Sequence, residues 1–95
     1  MRTEEFRGFL EDSERITSKN KAVTSRVSKA TIAETIIGRS LDVVVNDDSL
    51  MQEALLVLKN HPREKGGNLQ NAVRWYYFFA NGKHFPRLSE LKNKR

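Results

Sequence analysis

The most strongly periodic segment of the chain lies in its last third. Apolar residues recur there at helical spacing and form one stripe, made of Leu69, Ala72, Val73, Tyr76 and Ala80. Polar residues fall together on another side of the same helical wheel, and these are Gln70, Arg74 and Asn81. With Asn68 as the N-cap and Gly82 as the C′ residue, the pattern predicts a helix between these two residues. The polar side of this helix is a candidate contact surface.

Aromatic residues widen the apolar side of the same helix. Trp75, Phe78 and Phe79 extend the stripe until it nearly encircles the helix. Either this helix lies at the centre of a bundle, or it leaves an apolar side exposed for a partner. Burial is the favoured interpretation, because a large exposed apolar patch is unusual on a monomeric protein.

The first half of the chain predicts two helices. Residues 3–12 form a short amphipathic helix with Thr3 as a possible N-cap and with Phe6, Phe9 and Leu10 at helical spacing. A longer helix runs from about Ser18 to Ile37 and ends at Gly38. Its core stripe consists of Val23, Val27, Ala30, Ala33 and Ile37. Further isoleucines make its second half apolar on the other side too, so its start should be exposed and its end enclosed.

The segment Leu41–Val45 is ambiguous. Its sequence, LDVVV, is rich in β-branched residues and would read as a strand in isolation. No second strand pattern exists to pair with it, and an unpaired strand leaves its backbone groups unsatisfied. We therefore expect a buried linker or a 3₁₀ turn.

A third long helix follows this segment. Asp47 and Asp48 supply its N-cap, and it runs to about Asn60. Its broad apolar face consists of Leu50, Met51, Ala54, Leu55, Val57 and Leu58. Pro62 and the glycine pair within residues 61–68 then predict a loop. Residues 83–95 should form a short helix or turn that frays into a basic tail.

Together these elements predict an all-α fold, a compact bundle of four main helices in a single domain. We expect an ordered part at about residues 3–88 and a basic C-terminal tail over residues 89–95. The 95 residues include no cysteine, so neither disulfides nor thiolate metal sites support the fold, which fits a cytoplasmic protein. No apolar run is long enough for a membrane span, and the N-terminal residues lack the apolar core of a signal peptide. The sequence therefore predicts a soluble, unexported protein.

The charge balance favours a polyanionic partner. Seventeen Lys and Arg against twelve Asp and Glu give a net charge of +5, which attracts nucleic acid through counterion release. The first half of the second helix carries basic and hydroxyl-bearing residues, and the last helix adds amides and an arginine. The candidate DNA contacts are therefore Ser18, Lys19, Lys21, Ser25, Arg26, Lys29, Asn68, Gln70, Asn71 and Arg74.

Arg26 is a special case among these candidates because it falls inside the apolar arc of its helix. An unpaired buried charge is costly, so we expect its stem to pack and its head to reach solvent or an acidic partner. A phosphate contact is the alternative.

Residues with the spacing of a catalytic or metal site are absent from the sequence. His61 and His84 have no third residue at the spacing of a metal site or a catalytic triad. Gly66 and Gly67 lack the Lys and Ser or Thr of a phosphate-cradling loop. We therefore expect no enzymatic activity, no metal, no cofactor and no small-molecule ligand, and we interpret both histidines as solvated loop residues.

The order of these elements carries a family resemblance. The chain resembles the N-terminal core-binding, SAM-like domain of tyrosine recombinases and phage integrases over about Thr3 to Pro86. The segments that carry the resemblance are FRGFL, SKNKAVTSRVSKATIAETI, LDVVV, DDSLMQEALLVLKN and GNLQNAVRWYYFFANGKHFP. The last is the best match, because those domains close with a helix similar to xLxALRxFYxF, then a glycine and a proline. The residues that match this ending are Leu69, Ala72, Val73, Arg74, Tyr76, Phe79, Gly82 and Pro86.

The resemblance implies a four-helix bundle whose second and fourth helices face duplex DNA and form half of a clamp around it. The catalytic domain of that family is missing, and Tyr76 and Tyr77, as helix residues, are not its nucleophile. The leading hypothesis is a double-stranded DNA-binding module of mobile-element, recombination or defence type, beside a fused or separate effector domain. The alternative is a protein interaction domain that docks a partner through an exposed patch of Trp75, Tyr77 and Phe78.

Overall fold

The polypeptide folds into a bundle of α-helices. A computed structural model describes residues 1–13 and 19–86, so Ser18 and the whole predicted basic tail, residues 89–95, lie outside the described residues. The helices within these ranges are α1 (Thr3–Glu11), α2 (Lys19–Ile37), α3 (Leu41–Val44), α4 (Asp48–Lys59) and α5 (Asn68–Asn81). No strand occurs in either range. The predicted all-α class is confirmed.

Local signals explain several helix ends. The Asp47 carboxylate accepts hydrogen bonds from the backbone N–H groups of Ser49 and Leu50 at 2.8 and 3.2 Å, which confirms the predicted cap of α4. Gly38 and Gly82 follow α2 and α5 with φ angles of +77° and +72°. Only glycine adopts this left-handed conformation without strain, so these two residues end their helices as predicted.

Two predicted N-caps are wrong. Thr3 and Asn68 are the first helical residues of α1 and α5, and the preceding Arg2 and Gly67 occupy the cap positions without any side-chain cap bond. Asn68 is displaced from this role because Glu64 reaches the first turn of α5 from the preceding loop.

The segment after Gly38 is a short α-helix and not the predicted linker or 3₁₀ turn. Ser40 caps α3, because its Oγ accepts a hydrogen bond from the Asp42 backbone N–H at 3.2 Å. Leu41 and Val44 are fully buried, whereas Val43 points outward and is 49% exposed. Burial of the two inward side chains outweighs the strand propensity of the β-branched run.

The core forms around α2 and α5, which pack along each other more extensively than any other pair of helices, with α1 and α4 packed against both. The buried side chains of these helices follow the predicted stripes, and the largest are Phe6, Leu10, Met51, Leu55, Leu58 and Tyr76. Ile37, predicted in the core stripe of α2, is only half-buried. Val57, predicted on the inner face of α4, is 48% exposed, because it lies far around the helix from the buried Leu55 and Leu58.

A polar junction centred on Asp42 joins the start of the chain to α3 and α5. The Tyr76 hydroxyl donates to Asp42 Oδ1, Arg2 Nε donates to the same oxygen at 3.1 Å, and the Arg2 backbone N–H donates to Tyr76 at 2.8 Å. The amino group of Met1 lies 3.1 Å from Glu34 and 3.5 Å from Asp42. Burial acts to raise the pKa of Asp42, but the hydrogen bonds from Tyr76 and Arg2 outweigh it and hold that pKa below its usual range.

Candidate nucleic-acid interface

A groove runs between the first half of α2 and the first turn of α5. On α2 the residues 22, 25, 26 and 29 form one helical stripe, and on α5 the exposed Asn68 and Asn71 are one turn apart. The groove contains two hollows. The Arg26 hollow, with a volume of about 170 Å³, is lined by Ala22, Ser25, Arg26, Lys29, Asn68 and Asn71. The loop hollow, with a volume of about 220 Å³, is lined by Ser25, Ser28, Lys29, Ile32, Arg63, Lys65, Asn68 and Leu69.

The fold brings half of the predicted contacts into this groove. They are Ser25, Arg26, Lys29, Asn68 and Asn71. Lys21 is exposed on α2, one turn before Ser25. Lys19 begins α2, but its side chain lies outside the described part of the chain, as does all of Ser18. Gln70 and Arg74 do not line either hollow.

Lys29 stands where the two hollows meet. Its Nζ donates a hydrogen bond to Ser25 Oγ at 2.6 Å, one turn earlier on α2. Both residues line both hollows. This bond holds the ammonium group at the shared edge, so that Lys29 contributes positive charge to both hollows.

Arg26 packs its head on an aromatic ring. The guanidinium carbon lies 5.0 Å from the centroid of the Trp75 ring, in a cation–π contact. The Nε atom is buried and has no hydrogen-bond partner within residues 1–13 and 19–86. Burial lowers the pKa of the Arg26 guanidinium from its ordinary value. The predicted packing of the stem agrees with this position, but the head lies over Trp75 and not beside a carboxylate of the described residues.

Glu64 fixes the loop that precedes α5. Its carboxylate accepts hydrogen bonds from the backbone N–H groups of Lys65, Leu69 and Gln70 at 3.0, 2.8 and 2.9 Å, and from Gln70 Nε2 at 3.2 Å. Burial acts to raise the pKa of Glu64, but these hydrogen bonds outweigh it and lower the pKa below its usual range. Glu64 therefore neutralises the positive end of α5 and orders the loop that carries Arg63 and Lys65.

Ser28, Arg63 and Lys65 also line the groove, although they are not among the contacts predicted from the sequence. Ser28 lies one turn after Ser25 on α2, so helical spacing was a sufficient signal for it. The two cations lie in a loop, and their position depends on the hydrogen bonds of Glu64 to α5, which no local pattern reveals.

The side chains on the predicted polar side of α5 form hydrogen bonds within the protein. Gln70 is bound to Glu64, and the Arg74 guanidinium donates to the backbone carbonyls of Phe85 and Pro86. Asn81 Nδ2 donates to the Val45 carbonyl at 3.0 Å. These side chains hold a loop, the segment after α5 and the turn after α3, so the fold gives Gln70 and Arg74 intramolecular partners outside the two hollows.

Acidic residues are segregated away from the groove. The sequence has no Asp or Glu between Lys19 and Ala33, and none from Lys65 to Pro86. Apart from Glu64, the acidic residues of the described ranges lie on or beside α1, at the end of α2, and on or beside α3 and α4. They are Glu4, Glu5, Glu11, Asp12, Glu34, Asp42, Asp47, Asp48 and Glu53. The α2–α5 pair is therefore the positively charged part of the bundle.

The aromatic side of α5 is not the exposed patch that the alternative hypothesis requires. Tyr77 is 3% exposed, and its hydroxyl donates to Asp48 at 2.9 Å. Trp75 and Phe78 are half-buried and pack against Phe9, at ring-centroid distances of 6.3 and 5.5 Å.

The two histidines contribute to local structure. His84, predicted to be a solvated loop residue, is exposed but stacks on Phe78 with ring centroids 4.1 Å apart. His61 Nδ1 accepts a hydrogen bond from the Arg63 backbone N–H at 3.1 Å. Among the residues that the structure describes, no group of three His, Cys, Asp or Glu side chains could hold a metal ion.

Comparisons with known proteins identify no relative of this chain. No protein-family model matches the chain, and neither the curated proteins nor the solved structures include a match. No helix in the described ranges is long and apolar enough to cross a membrane.

Proposed function

We propose that this domain binds double-stranded DNA by laying the groove between α2 and α5 against the sugar-phosphate backbone. The observation that carries this proposal is the convergence of cations and neutral hydrogen-bond donors, from two helices and a loop, on a groove whose lining within residues 1–13 and 19–86 includes no acidic side chain. The proposed role is that of a DNA-binding module of mobile-element, recombination or defence type, working beside an effector domain in the cytoplasm. It includes no catalytic step.

The chemistry of the groove suits phosphate oxygens. Lys29, Arg63 and Lys65 supply positive charge, and the hydroxyl groups of Ser25 and Ser28 supply neutral donors. Most hydrogen bonds between proteins and DNA go to phosphate and sugar from these residue types, and they fix the position of the protein on the duplex. The family resemblance implies the same two helices as the DNA-facing pair, so the expectation and the groove favour the same surface.

The test is a fluorescence-anisotropy titration of a labelled duplex at a series of salt concentrations. Five cations lie in or beside the groove, namely Lys21, Arg26, Lys29, Arg63 and Lys65. If all five contact phosphates, log K should fall with log salt at a slope of about −4.5. Absence of binding at about 50 mM salt, or an affinity that salt does not change, would contradict the proposal.

A second experiment separates this role from protein interaction. Sedimentation of the isolated domain over a wide range of concentrations should show a monomer that becomes a complex only when duplex is added. Self-association without DNA would favour the alternative and would direct attention to Val43, Leu56 and Val57, the large hydrophobic side chains that are exposed in the described ranges.

A further inference from the structure

The Arg26 hollow differs from the rest of the groove in its chemistry. Arg26 and Lys29 place two cations on its α2 wall, while the amide side chains of Asn68 and Asn71 lie on its α5 wall. Ala22 contributes only a methyl group, which leaves the hollow open. Its lining thus offers positive charge and hydrogen-bond donors from two sides.

The resting position of Arg26 leaves one donor unsatisfied. Its Nε is buried without a hydrogen-bond partner in the described ranges. A buried donor without a partner is unfavourable, because it has lost its hydrogen bonds to water and gained none in the protein. An anion beside the guanidinium would remove this penalty, because a rotation of the long side chain can present its planar fork to two oxygens at once.

The backbone N–H groups at the N-terminal end of α5 are not available to bind an anion. Its first N–H groups already donate to the Glu64 carboxylate. We therefore expect side chains to hold a ligand of the hollow, and among its lining residues in the described ranges Arg26 supplies the guanidinium.

We propose that the Arg26 hollow binds one phosphate group of the DNA backbone, with Arg26 as its main ligand and Lys29 and Asn71 as supporting ligands. This inference rests on the proposed function and deepens it, since it assigns a particular phosphate site within the groove. The recognised chemistry is a tetrahedral phosphate, which a phosphodiester and free inorganic phosphate share.

Trp75 provides a built-in reporter for this site. It is the single tryptophan of the chain, and the Arg26 guanidinium lies over its ring. A phosphate that draws the guanidinium into the hollow should change the cation–π contact, and with it the fluorescence of Trp75 and the chemical shift of its indole N–H.

The experiment titrates the full chain with inorganic phosphate at constant ionic strength, with chloride as the balancing salt, and then with a short duplex. Trp75 fluorescence and backbone amide shifts are followed in both titrations. We expect both ligands to shift Trp75 and the amides of residues 22–29 and 68–71.

Three variants that each lower the net charge by one unit serve as matched tests. Arg26→Gln removes the main ligand, and Asn71→Asp places a negative charge at an exposed position of the hollow. Arg39→Gln removes an exposed arginine beyond the end of α2 and is the control. We expect the first two to weaken phosphate binding at least tenfold and to reduce the salt slope for duplex by about one, and the control to leave phosphate binding unchanged.

The outcomes distinguish this inference from the proposed function. If phosphate leaves Trp75 and these amides unshifted, or if Arg26→Gln and Asn71→Asp bind phosphate as tightly as the control, the inference is overturned even where duplex binds. If phosphate binds as expected and the duplex does not, the hollow is a phosphate site and the proposed DNA function fails.

Discussion

Glu64 satisfies the first turn of α5 from a position outside the helix. Three backbone N–H groups and one side-chain amide donate to its carboxylate, so this one side chain replaces an N-cap and anchors the loop of the groove. A neutral amide of the same size retains one acceptor oxygen and turns an N–H group toward donors that need an acceptor. Glu64 is therefore the residue at which the smallest chemical change should disturb both the fold and the site.

We expect Glu64→Gln to lower the free energy of unfolding by about 1–2 kcal/mol, since helix caps and hydrogen bonds to charged groups contribute about this much. Urea unfolding followed by circular dichroism measures the change. The matched control is Glu53→Gln on the exposed side of α4, which should stay within about 0.5 kcal/mol of the parent. Equal stability of the two variants would show that the Glu64 bonds contribute nothing to the fold.

At the scale of elements, the Asp42 junction holds the start of the chain, α3 and α5 together. The pKa values of Asp42 and Glu64 both lie below their usual ranges in the folded state. A carboxyl group whose folded pKa is depressed adds stability above its unfolded pKa, and this stability is lost as pH falls through the folded pKa. These two groups should therefore add a constant stability above about pH 5, and the domain should lose that contribution progressively below about pH 4.

Replacing Asp42 by Asn isolates its share of this acid sensitivity. Because the Asp42 side chain is 39% exposed, solvent screens its ion pair with Arg2, and we expect a loss of only about 1 kcal/mol at pH 7. The measurement is the free energy of unfolding in urea at pH 7, 5 and 3, in parallel for the parent and the variant. The difference should shrink toward pH 3, because Asp42 of the unfolded parent is then protonated and folding must release that proton. A difference that stays constant with pH would contradict the assignment.

The elements that sequence predicts well are those with local causes. The boundaries of α4 and α5 follow from the Asp47 cap, the left-handed Gly82 and the apolar period, all readable within a few residues. The helix α3 was missed because the β-branched run favours strand locally, and burial of Leu41 and Val44 decides otherwise. The sequence of a segment shows which secondary structure it favours locally, but not which residues it packs against in the fold.

The same limit applies to the candidate site. The α2 residues of the groove follow from helical spacing, because one stripe of a helix faces one neighbour. For Arg74, the helical wheel shows on which side of α5 the side chain lies, but not which residues it contacts. Its guanidinium donates hydrogen bonds to the backbone carbonyls of Phe85 and Pro86. The position of Arg63 depends on the loop that Glu64 fixes. It could therefore be determined only from the folded structure.

At the scale of the whole molecule, the segregation of charge matters more than the net value. A net charge of +5 attracts DNA to any part of the surface, whereas a groove whose described lining carries cations and neutral side chains selects one face. At physiological salt the Debye length is about 8 Å, so a cation much farther away than this contributes little to a bound phosphate. Identical substitutions inside and outside the groove can therefore separate a specific face from general attraction.

Arg63→Glu and Arg39→Glu make the same change of charge in two places. Arg63 lines the loop hollow, whereas Arg39 is exposed beyond the end of α2, ten residues after Lys29, or about 15 Å along a helix. At about 0.15 M salt we expect Arg63→Glu to weaken duplex binding about tenfold or more, through loss of a phosphate contact and new repulsion, and Arg39→Glu to weaken it less than about threefold. Anisotropy titrations compare the two variants after circular dichroism has verified that both are folded. Only a contact surface can distinguish two arginines that carry the same charge. Equal losses of affinity would therefore mean that net charge alone attracts the DNA and that the groove has no special role.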